Sequence, residues 1–306
     1  LDARTVEDLQ GAGAGRQTMA ALREQVTATA ALAEPPPPAP APVVVTIPPP
    51  SAADQEKILA EVRQNALDYT KNLPNFICNQ LTRRYVDSTG SGTAFRPTDR
   101  IQEQLSYVGG MENYKVVLVN DLPAPNVTHS KLGGVTSSGE FATMLHEIFD
   151  PESETQFEWT RWATLRGRRM HVYSFRVLQS NSKYTIYDEQ SGRMMVAGYH
   201  GLVYADRDTG LVMRILMDCD GLETFPITQV SLDLNYDFVK IESGEYLLPL
   251  RADLTSRAGR FMSKNEVEFR LYKKFGAEAT IIFDAPDPIP ADQLKEQPAT
   301  PDPAKK

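Results

Sequence analysis

Large aromatic side chains occupy only the middle of this chain, and that distribution limits which part of it can fold. All 26 Phe, Tyr and Trp residues lie between Tyr69 and Phe283. A segment without bulky apolar side chains cannot offset the entropy lost when its backbone is ordered. The sequence therefore predicts one folded domain over residues 51–284. Residues 1–50 are expected to be a disordered or partly helical Ala/Pro-rich tail and spacer, and residues 285–306 a disordered tail rich in Pro, Asp and Lys.

Charge and hydropathy exclude several classes of partner. The net charge is -8 and the pI is near 5.2, whereas nucleic-acid binding requires a basic face. No run of 18 apolar residues exists, so the chain as given is not expected to span a membrane. Because it starts at Leu1, we expect a signal peptide or anchor upstream. The protein should be peripheral or tethered to a membrane at most.

Two helices are predicted in the central domain. After Ser51, a preferred N-cap residue, the apolar residues recur at helical spacing as far as Leu73, and Pro74 ends the pattern. A shorter amphipathic pattern over residues 137–149, containing Phe141, Met144, Leu145, Ile148 and Phe149, predicts a helix inserted between strands. That inserted helix is a candidate lid. In the tail, the Ala-rich run from residue 5 to residue 34 is expected to be partly helical.

The rest of the domain has the period of β-strands. Apolar residues alternate with polar ones from Gln229 to Phe238, which predicts a long strand with one wet face. Tight turns are predicted at Arg166-Gly167, Ser191-Gly192, 208–210, Ser243-Gly244 and Ala258-Gly259. So many turns leave no room for crossover helices. The predicted fold is α+β and mainly β: a strongly curved antiparallel sheet, or half-open barrel, whose concave face is covered by the N-terminal and inserted helices.

Two segments carry a resemblance to a known superfamily. The hairpin at residues 201–215 and the strand, Ser-Gly turn and Leu-Leu-Pro run at 236–249 resemble the LolA, LolB and RseB superfamily of periplasmic lipoprotein-binding domains. Residues 69–78, 165–170 and 265–272 are similar to a group of bacterial envelope proteins without a known activity. The resemblance implies a half-open barrel that holds acyl chains under helical lids, a non-enzymatic role, and a location in the bacterial periplasm or cell envelope.

A hydrophobic ligand would require an apolar lining and a group that holds its head. The candidate lining residues are Leu105, Tyr107, Val116, Leu118, Met144, Phe157, Trp159, Met213, Ile215 and Met217, although ordinary core packing would give the same pattern. Arg161, Arg166, Arg168 and Arg169 form a basic cluster in an acidic protein, and of these Arg166, Arg168 and Arg169 could hold an anionic headgroup. The alternative for these arginines is a solvated hairpin rim.

No catalytic or metal-binding constellation is predicted, and no cofactor is expected. His146-Glu147 begins a zincin-like motif, but Asp150 stands where the second histidine is needed. Residues 206–210 fit a hairpin turn better than a calcium loop. His129, His171 and His200 have no neighbouring nucleophile or second ligand. Cys78 and Cys219 are either buried thiols or one disulfide bridge.

Three functions from different classes follow. The first is a carrier or sensor that binds a lipid or a lipoprotein acyl chain. The second is a structural or protein-interaction module with a solid core, whose partner would be another envelope protein. The third is a hydrolase, which would need titratable groups brought together from distant strands. The interior between the sheet and the helix at 137–149 distinguishes these hypotheses.

Overall fold

A computed structural model describes residues 2–30, 47–128, 132, 143–275 and 288–299. The chain divides into two compact units, Leu1–Val45 and Thr46–Lys306. The first unit contains α1 (Ala3–Gly11) and α2 (Arg16–Ala30). The Ala-rich run thus forms two helices, separated where Gly13 takes a positive φ of 89°. Most of the predicted proline-rich spacer, residues 31–46, lies outside the described residues.

The second unit begins with the helix that the sequence predicts. Helix α3 spans Ala52–Asp68 and continues into a 3-10 turn at Tyr69–Asn72. Its N-cap is Ser51, whose side-chain oxygen accepts a hydrogen bond from the Asp54 amide at 3.2 Å. Such a bond satisfies one of the amides left free in the first turn of a helix. The predicted start at Ser51 and the helical spacing that follows it are confirmed.

Thirteen strands follow in the described residues. Strands β1 (Phe76–Asp87), β2 (Arg96–Val108), β3 (Met111–Val119) and β4 (Leu122–Pro123) precede helix α4 (Thr143–Phe149). After it come β5 (Gln156–Leu165), β6 (Arg168–Val177), β7 (Thr185–Asp188), β8 (Arg193–Val196), β9 (Gly198–Asp206), β10 (Val212–Asp220), β11 (Ile227–Ile241), β12 (Gly244–Ala258) and β13 (Phe261–Lys274). A final short helix, α5, spans Ala291–Leu294.

Eleven of these strands form one sheet. Its order is β4-β3-β2-β1-β13-β12-β11-β10-β9-β6-β5, and every neighbouring pair is antiparallel. Strands β7 and β8 form a separate hairpin. The mainly β, antiparallel architecture with few helices agrees with the prediction, and the sheet is not closed, because β4 and β5 are its two ends.

The turns show how closely the sequence can locate a hairpin. The Arg166-Gly167 turn lies where it was predicted, since Leu165 pairs with Arg168 and both turn residues have positive φ. Two other predicted turns are wrong by one residue. Ile241 pairs with Gly244, so that turn is Glu242-Ser243, and Ala258 pairs with Phe261, so the next is Gly259-Arg260. Register and tertiary packing decide such shifts, because several polar residues at each site suit a turn.

One face of the sheet, here called the helix face, forms the core. Ile215, Leu234, Ala252 and Val267 are opposite one another on four successive strands, and each is at most 3% exposed. Cross-strand partners share a face, so these residues define it. Helix α3 lies on this face: the Tyr69 ring meets Tyr236 edge to face at 6.0 Å. The apolar side of these four strands therefore forms the core beneath α3.

The other face, here called the opposite face, carries charges that are paired with one another. On the same four strands it presents Arg214, Asn235, Arg251 and Glu268. Arg251 lies 3.4 Å from Glu268, whose side chain is fully buried. Glu268 also receives Arg83 at 2.9 Å and an ion pair from Arg270 at 3.3 Å. The polar side of the alternating strands is thus an ion-pair network.

The inserted helix is shorter than predicted. It spans Thr143–Phe149, and residues 137–142, including Phe141, lie outside the described residues. Its four apolar residues, Met144, Leu145, Ile148 and Phe149, are all buried as the amphipathic pattern indicates. The ring of Phe149 stacks on Phe157 of β5 at 5.1 Å. Helix α4 therefore covers part of the helix face.

Part of the predicted C-terminal tail is ordered against the sheet. Residues 288–299 contain α5, and Gln297 pairs with Thr164 of the edge strand β5. Ile289 is only 5% exposed. The Pro-rich composition led to an expectation of disorder from residue 285 onward. The described segment departs from that expectation because strand pairing and side-chain contacts supplied by β5 hold it in place.

Candidate functional site

The region beneath α4 combines an apolar surface with buried polar atoms. Helix α4 lies over β5, where Phe149 meets Phe157, and close to Tyr199 of β9. The guanidinium of Arg63 on α3 lies 5.9 Å from the centre of the Phe157 ring. Aromatic rings, a cation and the underside of a short helix thus meet at one place on the helix face.

Two buried polar atoms, one on α4 and one on β9, have no hydrogen-bonding partner within the described part of the chain. These atoms are Glu147 Oε2 and the hydroxyl of Tyr199, and both are buried. Burial raises the pKa of Glu147, an effect that Lys183 and His146 partly oppose. Burial also raises the pKa of Tyr199, and the charge of Glu147 adds to this shift. A buried polar atom without a partner costs free energy and calls for an explanation such as a ligand or water.

The predicted lining residues fall into two groups along the sheet. Met213, Ile215 and Met217 of β10 lie on the helix face, each at most 1% exposed, on the same side of the sheet as Phe157 and Trp159. Leu105, Tyr107 and Val116 are buried on β2 and β3, at the other end of the sheet. Strands β1, β13, β12 and β11 separate the two groups. Met144 joins the first group through α4.

Leu118 departs from the predicted lining. Val116 is opposite Glu103, and a bulge then shifts the register so that Leu118 is opposite Gln102 and Val119 opposite Ile101. Val119 therefore shares a face with the buried Ile101, and Leu118 points to the other side of the sheet. Simple alternation from Val116 cannot reveal this, because a bulge exchanges the two faces beyond it.

The three predicted headgroup arginines do not form one cluster. Arg166 donates to the Tyr236 carbonyl and lies 3.6 Å from Asp237. Arg168 pairs with Asp206 at 2.7 Å on the opposite face. Arg169 follows Arg168 on β6 and so points to the helix face, where its guanidinium lies 5.9 Å from the centre of the Trp162 ring. Arg169 alone shares the helix face with the predicted β5 and β10 lining.

An aromatic cluster surrounds a buried histidine next to this region. The Trp159 indole N–H donates to His171 Nδ1 at 3.2 Å, and the Trp162 ring lies 4.3 Å from the His171 ring. Burial, together with the charge of Arg207, lowers the pKa of His171 to about 4. His171 is therefore neutral at physiological pH and is satisfied within the core. The cluster continues to Tyr173, whose hydroxyl donates to the Gln55 carbonyl of α3 at 3.2 Å.

The two cysteines are free thiols. Cys78 lies on β1 and Cys219 on β10, four strands apart in the order of the sheet. Strands are spaced about 4.8 Å apart, so this separation is roughly 19 Å along the sheet. A disulfide needs Cα atoms within about 7 Å. The sequence left two alternatives for these cysteines, and the structure shows the buried thiols and not the disulfide bridge.

The other chemistry considered from the sequence is accounted for by local contacts. No group of three His, Cys, Asp or Glu side chains in the described residues could hold a metal ion. The imidazole of His146 is 59% exposed and lies 3.8 Å from Asp150. Asp206 accepts hydrogen bonds from the amides of Asp208 and Thr209, which makes residues 206–210 a capped turn. His129 lies outside the described residues, and His200 pairs with Asp220 at 2.9 Å.

Comparison of the fold with solved structures gives matches of low sequence identity. A DUF1329 family protein from Desulfovibrio piger is 9% identical, with a TM-score of 0.33, covering 74% of this chain and 94% of its own. A domain described as an outer membrane lipoprotein-sorting protein, from Vibrio parahaemolyticus, is 9% identical with a TM-score of 0.32, covering 72% and 92%. A LolA superfamily protein from Nitrosomonas europaea is 10% identical with a TM-score of 0.27, covering 72% and 93%.

No protein-family model matches the chain, and no curated protein matches it. Among the helices of the described residues, none has both the length and the apolar character needed to cross a membrane.

Proposed function

We propose that the central domain binds an acyl chain of a lipid or lipoprotein between α4 and the helix face, as a non-enzymatic carrier or sensor of the bacterial envelope. In this proposal the sheet curves around the helix face as a half-open barrel and α4 is its lid. The observation that carries the proposal is the pair of buried, unpartnered polar atoms on Glu147 and Tyr199, set beside an apolar surface.

The polar pair suits the linkage of an acyl chain. A glutamate carboxylate accepts a hydrogen bond, and a tyrosine hydroxyl donates one. An acyl amide offers an N–H and a carbonyl next to each other, and an acyl ester offers the carbonyl alone. The chain beyond that linkage would contact Phe157 and the β10 residues Ile215 and Met217, while Arg63 or Arg169 could face an anionic group. Thioethers such as Met144 and Met217 adapt to varied apolar shapes.

The free energy of burying an acyl chain can be compared with that of the apolar contacts of α4. Burying a methylene group contributes about 0.8 kcal/mol, so a 16-carbon chain corresponds to roughly 12 kcal/mol. The four buried apolar side chains of α4 contribute about 1.5 to 3 kcal/mol each. An acyl chain can therefore replace the contacts that α4 makes with the sheet. The apolar contacts of α4 and those of a bound acyl chain are of similar free energy, before the entropy cost of ordering α4 is counted.

The two tryptophans give a direct assay. Trp159 and Trp162 are the only tryptophans in the chain, and both lie on β5 near Phe157. An N-acyl amide with a brominated acyl chain should quench their fluorescence saturably, and the unbrominated amide should reverse the quenching by competition. Glu147→Gln and Tyr199→Phe should weaken binding, whereas His146→Gln on the exposed side of α4 should not.

Two results would reject the proposal. One is the absence of saturable quenching with any chain length from 12 to about 18 carbons, which spans the ordinary range of acyl chains. The other is native mass spectrometry that finds no lipid on protein purified from a bacterial periplasm.

A protein-interaction module is the second candidate, and the β7–β8 hairpin is the observation that favours it. Tyr187 and Met194 are opposite each other on this hairpin and are 59% and 72% exposed. Val196, on the same face, is 39% exposed. Contiguous exposed apolar residues often mark an interaction site. Tyr187→Ser with Met194→Ser should abolish co-purification of an envelope partner if this function is the correct one, and leave acyl-chain quenching unchanged.

A further inference from the structure

The segment at residues 288–299 lies on the edge strand β5 in the manner of a bound peptide. The Thr164 amide donates to the Gln297 carbonyl at 2.9 Å, and the Gln297 amide donates to the Thr164 carbonyl at 2.8 Å. Strand β5 is an end of the eleven-stranded sheet, so its outer backbone groups are available to an added strand. Strand addition of this kind is a common way for a sheet to bind an extended peptide.

A carboxylate-binding pocket lies next to this pairing. Glu296 accepts two hydrogen bonds from Arg161, Nε to Oε1 at 3.1 Å and Nη2 to Oε2 at 2.7 Å. The Tyr204 hydroxyl donates to Glu296 Oε2 at 2.8 Å. Two parallel bonds between a guanidinium and a carboxylate are both strong and geometrically selective. The pocket therefore recognises a carboxylate in one orientation.

The electrostatics agree with this geometry. Burial alone would raise the pKa of Glu296, but the hydrogen bonds from Arg161 and Tyr204 and the nearby charge of Arg214 lower it below its usual value. The bond to Glu296 in turn raises the pKa of Arg161. Arg214 itself is held by Asp233 at 2.6 Å on the neighbouring strand. The charge of Arg214 beside the pocket is thus held in place by an ion pair of the opposite face.

The chain's own segment uses only part of this edge. Strand β5 has ten residues, yet its pairing with the C-terminal segment in the described residues is the single pair Thr164 and Gln297. Strand geometry directs the backbone groups of Trp162 to the same edge as those of Thr164. Beyond Glu296 and Gln297, the segment is anchored by the buried side chain of Ile289. A longer extended peptide could make more backbone pairs than the chain makes with itself.

We propose that the β5 edge with Arg161 and Tyr204 binds an extended, glutamate-bearing peptide of a partner protein, and that residues 288–299 cover this site as an intramolecular competitor. The partner peptide would place a glutamate in the arginine fork and pair the following residue with Thr164. Its other residues would extend along β5. Since Arg161 and Tyr204 lie on the opposite face of the sheet from α4, this site is independent of the proposed acyl-chain site.

Tethering explains why the partner must compete. A segment attached through a short linker experiences an effective concentration of about millimolar at its own site. A partner peptide with weaker contacts would not bind under these conditions. One with additional backbone pairs along β5 would displace the segment, which couples partner binding to release of the C-terminal end.

The test uses the full chain and a fluorescein-labelled peptide with the sequence of residues 288–299. In wild-type protein the tethered segment should keep this peptide from binding, and Glu296→Gln should increase its affinity by about tenfold or more by weakening the competitor. The matched control is Lys295→Gln, an exposed neighbour, which should bind the peptide as weakly as wild type does. Adding Arg161→Ala to Glu296→Gln should abolish the gain, as should a peptide that carries Gln in place of the glutamate.

Hydrogen exchange provides a second measurement that needs no variant. With isotope-labelled wild-type chain and a large excess of unlabelled peptide, exchange at the chain's own Gln297 amide should accelerate as the peptide displaces the segment. Equal peptide affinity for wild type and Glu296→Gln, with unchanged exchange at Gln297, would overturn the proposal. So would peptide binding that does not depend on the glutamate. A wild-type dimer at micromolar concentration that exchanges this segment between copies would replace the partner with a second copy of the chain.

Discussion

Shortening Ile148 to alanine should open α4 without unfolding the sheet. Ile148 is fully buried on α4, and its carbonyl accepts a hydrogen bond from the Thr155 hydroxyl at 2.6 Å. The four buried apolar residues of α4 contribute about 6 to 12 kcal/mol in total. Ordering its seven residues costs about 10 kcal/mol. These two terms nearly cancel, so α4 is held by only a few kcal/mol.

The substitution removes a large part of that margin. Replacing a buried Ile by Ala costs about 2 to 5 kcal/mol. Since each 1.4 kcal/mol is a factor of ten in an equilibrium constant, local opening of α4 should increase by roughly 30-fold to 4000-fold. A sheet strand such as β11 does not depend on α4 for its pairing with β10 and β12. Its protection should remain close to that of wild type.

Hydrogen–deuterium exchange with peptide resolution measures both regions at once. The Asp150 amide, which donates to the His146 carbonyl at 2.7 Å, reports on the end of α4, and the Leu234 amide reports on β11. His146→Ala is the matched control, because this side chain is 59% exposed on the same helix. An equal loss of protection in α4 and β11 would refute local opening, because α4 would then belong to the global cooperative unit. Unchanged exchange in α4 would refute it as well.

Three further predictions concern groups with defined partners. Glu268→Ala leaves three guanidinium groups without their shared carboxylate and should lower the free energy of unfolding by about 3 to 5 kcal/mol, measured by urea denaturation. Burial raises the pKa of Asp206, but the ion pair with Arg168 and the turn hydrogen bonds outweigh it and leave the pKa below its usual 3.8. The free energy of unfolding that this carboxylate adds is present above pH 3.8 and is lost as the pH falls through its lower folded-state pKa. The difference in free energy of unfolding between wild type and Asp206→Asn should therefore shrink in acid. A difference that is independent of pH would contradict the ion pair. Burial raises the pKa of both Cys78 and Cys219, so iodoacetamide should modify neither thiol in the folded protein at pH 7. It should modify both thiols after denaturation without reductant. A denatured protein that does not react and is two mass units lighter would instead reveal a disulfide.

Much of the architecture can be predicted from the sequence because it depends on local patterns. The alternation from Gln229 to Phe238 predicts β11, and the cap at Ser51 with the helical spacing after it predicts α3. The apolar face of α4 can also be recognised from the spacing of its four buried residues. Each of these signals lies within one turn or one strand of the residues that it describes, so no distant contact is needed to interpret it.

The candidate site could be predicted only in part. Ile215, Met217, Phe157 and Met144 do lie together on the helix face, as an apolar lining requires. The buried pair of Glu147 and Tyr199 could not be found, because one residue is on an inserted helix and the other on β9. A glutamate next to the apolar residues of α4 was the one available signal, and on a helix a glutamate is ordinarily solvated.

The aromatic distribution, the strand periodicity and the two helical patterns by themselves predict that the central region folds as an antiparallel sheet with two covering helices. Burial of large side chains drives folding, and each period assigns the apolar residues to one face of its element. Tertiary structure alone decides the register, and with it which residues share a site. A bulge beside Val116 sends Leu118 to the other face, and the Glu242-Ser243 turn displaces a hairpin by one residue. The tertiary structure also decides that the segment at residues 288–299 lies against β5, because Arg161 and Tyr204, which bind Glu296, are 135 and 92 residues away from it in the chain. Composition describes each segment separately, whereas these contacts exist only once distant strands have been brought together.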